Sequence, residues 1–239
     1  MKRTVLLASL AALALIACTS TPARTPSASM PEAARAAGLV DVAAFVPDEH
    51  IDMRYAGHDN FVGVPVEGYG ASRCWLHRQA AEALSRVATD LRTEGLRLHI
   101  YDCYRPTRAV EHFMRWAQDA NDQRTKPAFY PNLEKSTLVK GGYIAERSGH
   151  SRAATLDLGI ERCDADGRCA DIDMGTPFDF FDSLANTDDP RVTPLQRVNR
   201  DRLRDAMRRH GFAPYAMEWW HFTFKPEPTP DTFFDIPIE

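Results

Sequence analysis

The chain has 239 residues, 44% hydrophobic and 26% charged, with 13 glycines and 16 prolines, which excludes a long disordered polymer and a collagen-like repeat. The formal charge is −4 and no long single-sign block occurs, so there is no basic patch for nucleic acid. Five cysteines is an odd count, so at least one serves something other than an intramolecular pair.

Met1-Lys2-Arg3 is a basic start, followed by an apolar run to Ala17. The run is shorter than the roughly 20 residues of a membrane-spanning helix and reads as a signal peptide over residues 1–17. It ends in Leu15-Ile16-Ala17-Cys18, which resembles a bacterial lipobox. Cys18 is therefore expected to become the lipidated first residue of the mature chain, an ordinary secretory signal being the alternative. Thr19 follows, with no Asp retention signal, and by resemblance to other lipoproteins this favours the outer membrane, facing the periplasm. No other stretch is apolar enough to span a bilayer, so membrane contact is expected through the lipid alone. Residues 18–37, rich in Ser, Thr, Pro and Ala, read as the lipidated Cys and a flexible tether, with the folded domain over 38–239.

Cys74, Cys103, Cys163 and Cys169 would then sit in an oxidising compartment, where thiols pair. Cys163-Asp-Ala-Asp-Gly-Arg-Cys169 contains an Asp-Gly turn and closes easily, which leaves Cys74–Cys103 as the second bridge. A thiolate zinc site is the competing reading.

Arg78 to Glu94 reads as a helix, because Ala81, Leu84, Val87 and Leu91 recur at helical spacing and Gly95 stops it. Leu96 to Tyr101 alternates apolar and polar, as a strand does. Pro106 opens a second helix to about Gln118, with Ala109, Val110, Phe113, Trp116 and Ala117 on its apolar face. Ala154 to Ile160 is a strand. Leu195 to His210 is a third helix, with Leu195, Val198, Leu203 and Met207 inward, and Trp219 to Phe224 is a last strand. Helices and strands do not alternate regularly, so the fold class is α+β in a single domain.

Three segments hold unusual polar residues beside these strands: Asp102-Cys-Tyr-Arg105-Pro, Ser148-Gly-His150 through Asp157, and Glu218-Trp-Trp-His221. Two histidines and a carboxylate suffice for a catalytic zinc and leave a fourth position for water. Glu218 can be a general base, and Arg105 can stabilise developing negative charge. On an ideal strand Glu218 and His221 face opposite sides, so the site needs a bend near Trp219-Trp220.

These residues resemble the zinc D-alanyl-D-alanine dipeptidases, which belong with the D,D-carboxypeptidases. The likeness extends to Tyr55-Ala-Gly-His-Asp59-Asn60-Phe61-Val-Gly63, Gly68-Tyr69, Met174-Gly175 and Phe178-Asp179-Phe180, and so covers roughly residues 40–239. The resemblance implies a mainly antiparallel central sheet flanked by helices. It also implies one Zn2+ on His150, Asp157 and His221, with Glu218 as base and Arg105 as transition-state stabiliser. Tyr55, Asp157 and Asp179 would surround the amino group of a small D-dipeptide, and Ser148 its carboxylate. The expected reaction is hydrolysis of D-Ala-D-Ala in cell-wall peptide turnover. The alternatives are a carboxypeptidase or endopeptidase on longer stems, or a non-catalytic cell-wall-binding lipoprotein. Ala153 and Thr155 depart from the family, which commonly has Gly and Ala there, and the 163–169 loop looks like a small insertion. The remaining histidines, His50, His58, His77, His99, His112 and His210, read as exposed or hydrogen-bonded residues.

Overall fold

The computed structural model describes residues 30–239; the expected signal peptide and Cys18 lie outside the described residues. The elements are α1 (Glu32–Ala36), β1 (Leu39–Asp41), β2 (His50–Ile51), β3 (Trp75–His77), α2 (Arg78–Thr93), β4 (Leu96–Asp102), α3 (Thr107–Gln118), α4 (Lys126–Phe129), β5 (Thr155–Cys163), β6 (Cys169–Asp171), α5 (Pro194–Arg209), β7 (Phe212–Tyr215) and β8 (Glu218–Phe224). Ala34 of α1 is fully buried, so packed structure begins ahead of Gly38, inside the stretch expected to be a tether.

The main sheet runs β2-β4-β5-β8-β7, with β6 added to the far end of β5. Only β2–β4 pairs in parallel; the other pairs are antiparallel. A second sheet pairs β1 with β3. Together they make one α+β domain.

The apolar spacing of α2 buries Ala80, Ala81, Leu84, Val87, Ala88 and Leu91, and the helix packs against β4. Gly95 then takes φ +70°, a left-handed conformation that costs glycine nothing. Leu98 and Ile100 of β4 and Leu156 and Leu158 of β5 are fully buried. The alternate residues His99 and Tyr101 are buried too, so both faces of β4 are covered except at Arg97.

Helix α5 departs from its expected inward face. Leu203 and Met207 are buried, but Leu195 and Val198 are 67% and 52% exposed, while Asn199 and Arg200 point inward. The Arg200 guanidinium donates to the carbonyls of Met174 (2.7 Å), Asn186 (2.6 Å) and Leu184 (3.0 Å). Its first turns thus clamp a polar loop instead of filling a core, and that loop carries Asp179.

The sulfurs pair as Cys74 with Cys103 and Cys163 with Cys169, at 1.93 and 1.95 Å. Among the described residues the four cysteines lie in two separate pairs and do not converge on one four-thiolate centre.

Candidate active site

Three adjacent strands build the centre. A bulge at Tyr101 shifts the β4 register so that Asp102 lies beside Asp157 of β5, and Asp157 lies beside His221 of β8. Asp102, Asp157 and His221 therefore form one row across the sheet. His150 arrives from a short 3-10 turn, Gly149–Arg152, whose first backbone donors are capped by the Ser148 hydroxyl, which accepts from His150 N at 3.2 Å.

The bend required near Trp219-Trp220 is present. Against β7, Pro214 faces Phe222 but its neighbour Tyr215 faces Glu218, so the residues between bulge out. The bulge brings Glu218 Oε2 to 3.4 Å from His221 Nδ1, on the same side as the row. Trp220 lines the cavity there, while Trp219 turns away and donates to Thr176 Oγ1 at 2.9 Å.

His150 Nδ1 donates to the Cys103 carbonyl at 2.7 Å, which fixes the proton on Nδ1 and leaves the Nε2 lone pair for a ligand. Nε2 lies 3.3 Å from Asp157 Oδ2 and 3.4 Å from His221 Nδ1. His221 Nδ1 lies 3.0 Å from Asp157 Oδ1, an oxygen that is buried without a hydrogen-bond partner. One donor atom from each of the three residues falls within 4.8 Å of the others. A compact N,N,O set, buried at His150 and Asp157 and half-buried at His221, with an orphaned carboxylate oxygen fits a divalent transition metal. Burial opposes ionisation of Asp157, but the two imidazoles outweigh it and hold its carboxyl below the usual range.

All eight residues assigned above to metal, catalysis or substrate line one cavity of about 210 Å³. Burial pushes the Glu218 carboxyl up to about 7, a value suited to a general base at neutral pH. Tyr55 donates to Asp179 Oδ2 at 2.8 Å, and both are buried. Burial and then the Asp157 charge push the Asp179 carboxyl well above the carboxylate range. Its backbone sits at φ +59°, a left-handed conformation that a non-glycine residue rarely adopts.

Asp102, in the Asp102-Cys-Tyr-Arg105-Pro segment, has no role that the sequence alone assigns. It is fully buried, accepts from Arg105 Nε (3.0 Å) and Nη2 (2.8 Å) and from the Tyr69 hydroxyl (2.6 Å), and lies 3.3 Å from His150 Nδ1. The Arg105 guanidinium also packs 5.0 Å over the rings of Tyr55 and Phe113. The spacing Asp-x-x-Arg at a strand end was the available signal. Arg147 and Tyr215 also line the cavity and carried no sequence signal.

The departures have local explanations. Ala153 takes φ +60°, where glycine is at ease, so the family's glycine reads as a backbone requirement at this turn. The Thr155 hydroxyl bonds Thr223 Oγ1 across the strands at 2.9 Å, and the residue is not part of the cavity wall.

Comparison with known proteins matches residues 35–239 to the Peptidase_M15 family, described as D-ala-D-ala dipeptidase. A Streptomyces coelicolor D-alanyl-D-alanine dipeptidase is 43% identical over 78% of this chain and 91% of its own length. An Enterococcus faecium protein of the same name is 38% identical over 79% and 92%, and one from Escherichia coli is 33% identical over 77% and 83%.

Proposed function

We propose, on the premise that the chain belongs to the D-Ala-D-Ala dipeptidase family of peptidases, that it is a one-zinc, lipid-anchored enzyme of cell-wall peptide turnover. It hydrolyses the dipeptide D-Ala-D-Ala. The observation that carries the mechanistic reading is the buried row of Asp157 and His221 with His150 and Glu218 gathered about it, all in contact range at one end of a small cavity.

His150 Nε2, Asp157 and His221 would hold the zinc. When bound, the ion supplies Lewis acidity that polarises the scissile carbonyl and acidifies a coordinated water. Glu218 takes the proton from the attacking water and returns it to the leaving amine, a double duty that its raised pKa suits. Arg105, locked on one edge by Asp102, presents its remaining donors toward the charge that develops on the carbonyl oxygen. Asp179, steadied by Tyr55, receives the substrate's ammonium, and Ser148 donates its hydroxyl proton to the substrate's carboxylate.

The cavity, at about 210 Å³, falls below the roughly 300–1,000 Å³ of drug-sized ligand sites and suits a substrate of two small residues. That favours the dipeptide over longer stems. Export and anchoring rest on the Lys2-Arg3 start, the apolar run and the Leu-Ile-Ala-Cys18 sequence, and the close sulfur pairs agree with an oxidising compartment. Among the described residues no helix is long and apolar enough to cross a membrane.

The test is to load the purified chain with zinc and measure alanine released from D-Ala-D-Ala, L-Ala-L-Ala and a pentapeptide stem. Fast release from the D-dipeptide alone is expected. Equal cleavage of the stem would overturn the dipeptide assignment.

A further inference from the structure

Away from the catalytic cavity, four strands bring together a second set of metal-ligating side chains. His50 of β2 and His99 of β4 are register partners in the parallel pair, and their rings stack at 4.0 Å with planes 10° apart. Glu161 of β5 points its Oε1 at both, 2.7 Å from His50 Nδ1 and 3.4 Å from His99 Nδ1. Asp171 of β6 adds Oδ1 at 2.6 Å from His99 Nδ1. None of the four lines the catalytic cavity. Glu161 lies four residues along β5 from Asp157, roughly 13 Å at strand rise.

We propose that His50, His99, Glu161 and Asp171 form a second site for a divalent transition-metal cation. Two imidazole nitrogens and two carboxylate oxygens are the donor mix of zinc-type sites. The nitrogen and oxygen atoms of His50, His99 and Glu161 already lie within 4.8 Å of one another. To bind a cation through Nδ1, each neutral imidazole carries its proton on Nε2 instead, and for His99 that nitrogen faces the Asp52 carboxylate. Supporting contacts of the kind that orient metal ligands are in place. Arg97 holds the other Glu161 oxygen at 2.7 Å, and Arg54 holds Asp52 at 2.7 Å. Asp52 in turn faces His99 Nε2 at 3.5 Å, a buried nitrogen with no hydrogen-bond partner. Three carboxylates against two guanidiniums leave the cluster short of positive charge when both histidines are neutral.

Access is one-sided. His99 and Glu161 side chains are 5% exposed, whereas His50 is 41% exposed, so its ring can tilt out of the stack to aim its lone pair at an incoming ion. Asp171 is carried by the hairpin that Cys163 and Cys169 close, and those two sulfurs are bonded to each other and do not compete as ligands. An ion here would tie β2, and with it the segment that leads to Tyr55, to the middle of the sheet.

The experiment is a Zn2+ titration by calorimetry on the wild-type chain, on a His150→Ala/His221→Ala variant and on His50→Gln, each checked for fold by circular dichroism. Two equivalents in the wild type are expected, with one remaining in the double variant and one in His50→Gln. In the double variant, adding His50→Gln should weaken the remaining site at least tenfold and abolish its zinc-induced thermal shift. A single wild-type equivalent that is lost in the folded double variant overturns this site and leaves the catalytic one standing. A single equivalent that survives there and vanishes with His50→Gln does the reverse.

Discussion

Asp102→Asn is the most informative single change, because this buried carboxylate touches the catalytic groups without facing substrate. Its two oxygens take three hydrogen bonds, two from Arg105 and one from Tyr69. Asparagine can offer its one acceptor oxygen to Arg105, but it carries no negative charge and its NH2 then meets the Tyr69 hydroxyl. Breaking a buried ion pair by removing one partner costs about 3–5 kcal/mol. Arg105 retains Asp157 at 3.6 Å as a second partner, so the lower end applies, about 3 kcal/mol. Freed from Asp102, the guanidinium should turn toward Asp157 and leave the position from which it is proposed to face the reacting carbonyl. The loss in kcat is then bounded by that of one oxyanion donor, about 10²–10³-fold. Asp102 also lies 3.3 Å from His150 Nδ1, and disturbing such a supporting contact lowers metal affinity about 10–100-fold. Urea unfolding, chelator competition and D-alanine release measure the three effects separately. An Asp102→Asn protein with unchanged kcat/KM and stability within about 0.5 kcal/mol of wild type would refute the positioning argument.

Glu218→Gln should retain metal and lose about 10²–10⁴-fold in kcat, read by stopped dipeptide assays at saturating zinc. In the metal-free chain the Glu218 carboxyl titrates near 7 when folded, above its unfolded value, so folding favours its protonated form. That contribution to stability is fully present below about pH 4.5 and is lost as pH rises through 7, and Glu218→Gln should flatten this part of a stability–pH curve. Asp179→Asn should raise KM for D-Ala-D-Ala about 10–100-fold with a smaller change in kcat, the loss of one charge-assisted contact to the ammonium; an unchanged KM would remove Asp179 from recognition. Replacing Cys74 and Cys103 with serine should cost about 3–4 kcal/mol, against about 2 for Cys163 and Cys169, since the closed loops span separations of 29 and 6 residues. Only the first pair should weaken metal binding at the His150 centre, because the Cys103 carbonyl holds His150.

The helices and strands that carry the site were readable because their apolar spacing matches what the core buries, as in α2 and in Leu98 and Ile100 of β4. Leu195 and Val198 misled because helical spacing says which residues share a face, not whether a neighbour covers it. There the covering role falls to Arg200, whose guanidinium satisfies three carbonyls. The motif residues converge on one cavity, and even the bend at Trp219-Trp220 was a demand of strand periodicity. Asp102 and the paired His50 and His99 were not readable, since their roles depend on register across strands distant in sequence. A histidine judged alone gives no hint that another histidine will lie 4.0 Å above it.

The charges of the cavity argue for its ligands. Asp157, Asp179 and Glu218 line the cavity and Asp102 is buried beside it, with the Arg105 guanidinium between Asp102 and Asp157 and Arg147 also in the wall. Burial first, and then the neighbouring Asp157 charge, raises the pKa values of Asp102, Asp179 and Glu218, so these carboxylates do not all ionise together. A divalent ion beside Asp157 and His221 would relieve this at one end, and the proposed substrate ammonium beside Asp179 would relieve it at the other. Each cation that binds makes ionisation of the neighbouring acids easier, so metal and amine are expected to reinforce one another. A peptide with a blocked N-terminus brings no such charge. It leaves Asp179 protonated or unpaired, and the site rejects it through the cost of a buried acid without a partner rather than through lack of room.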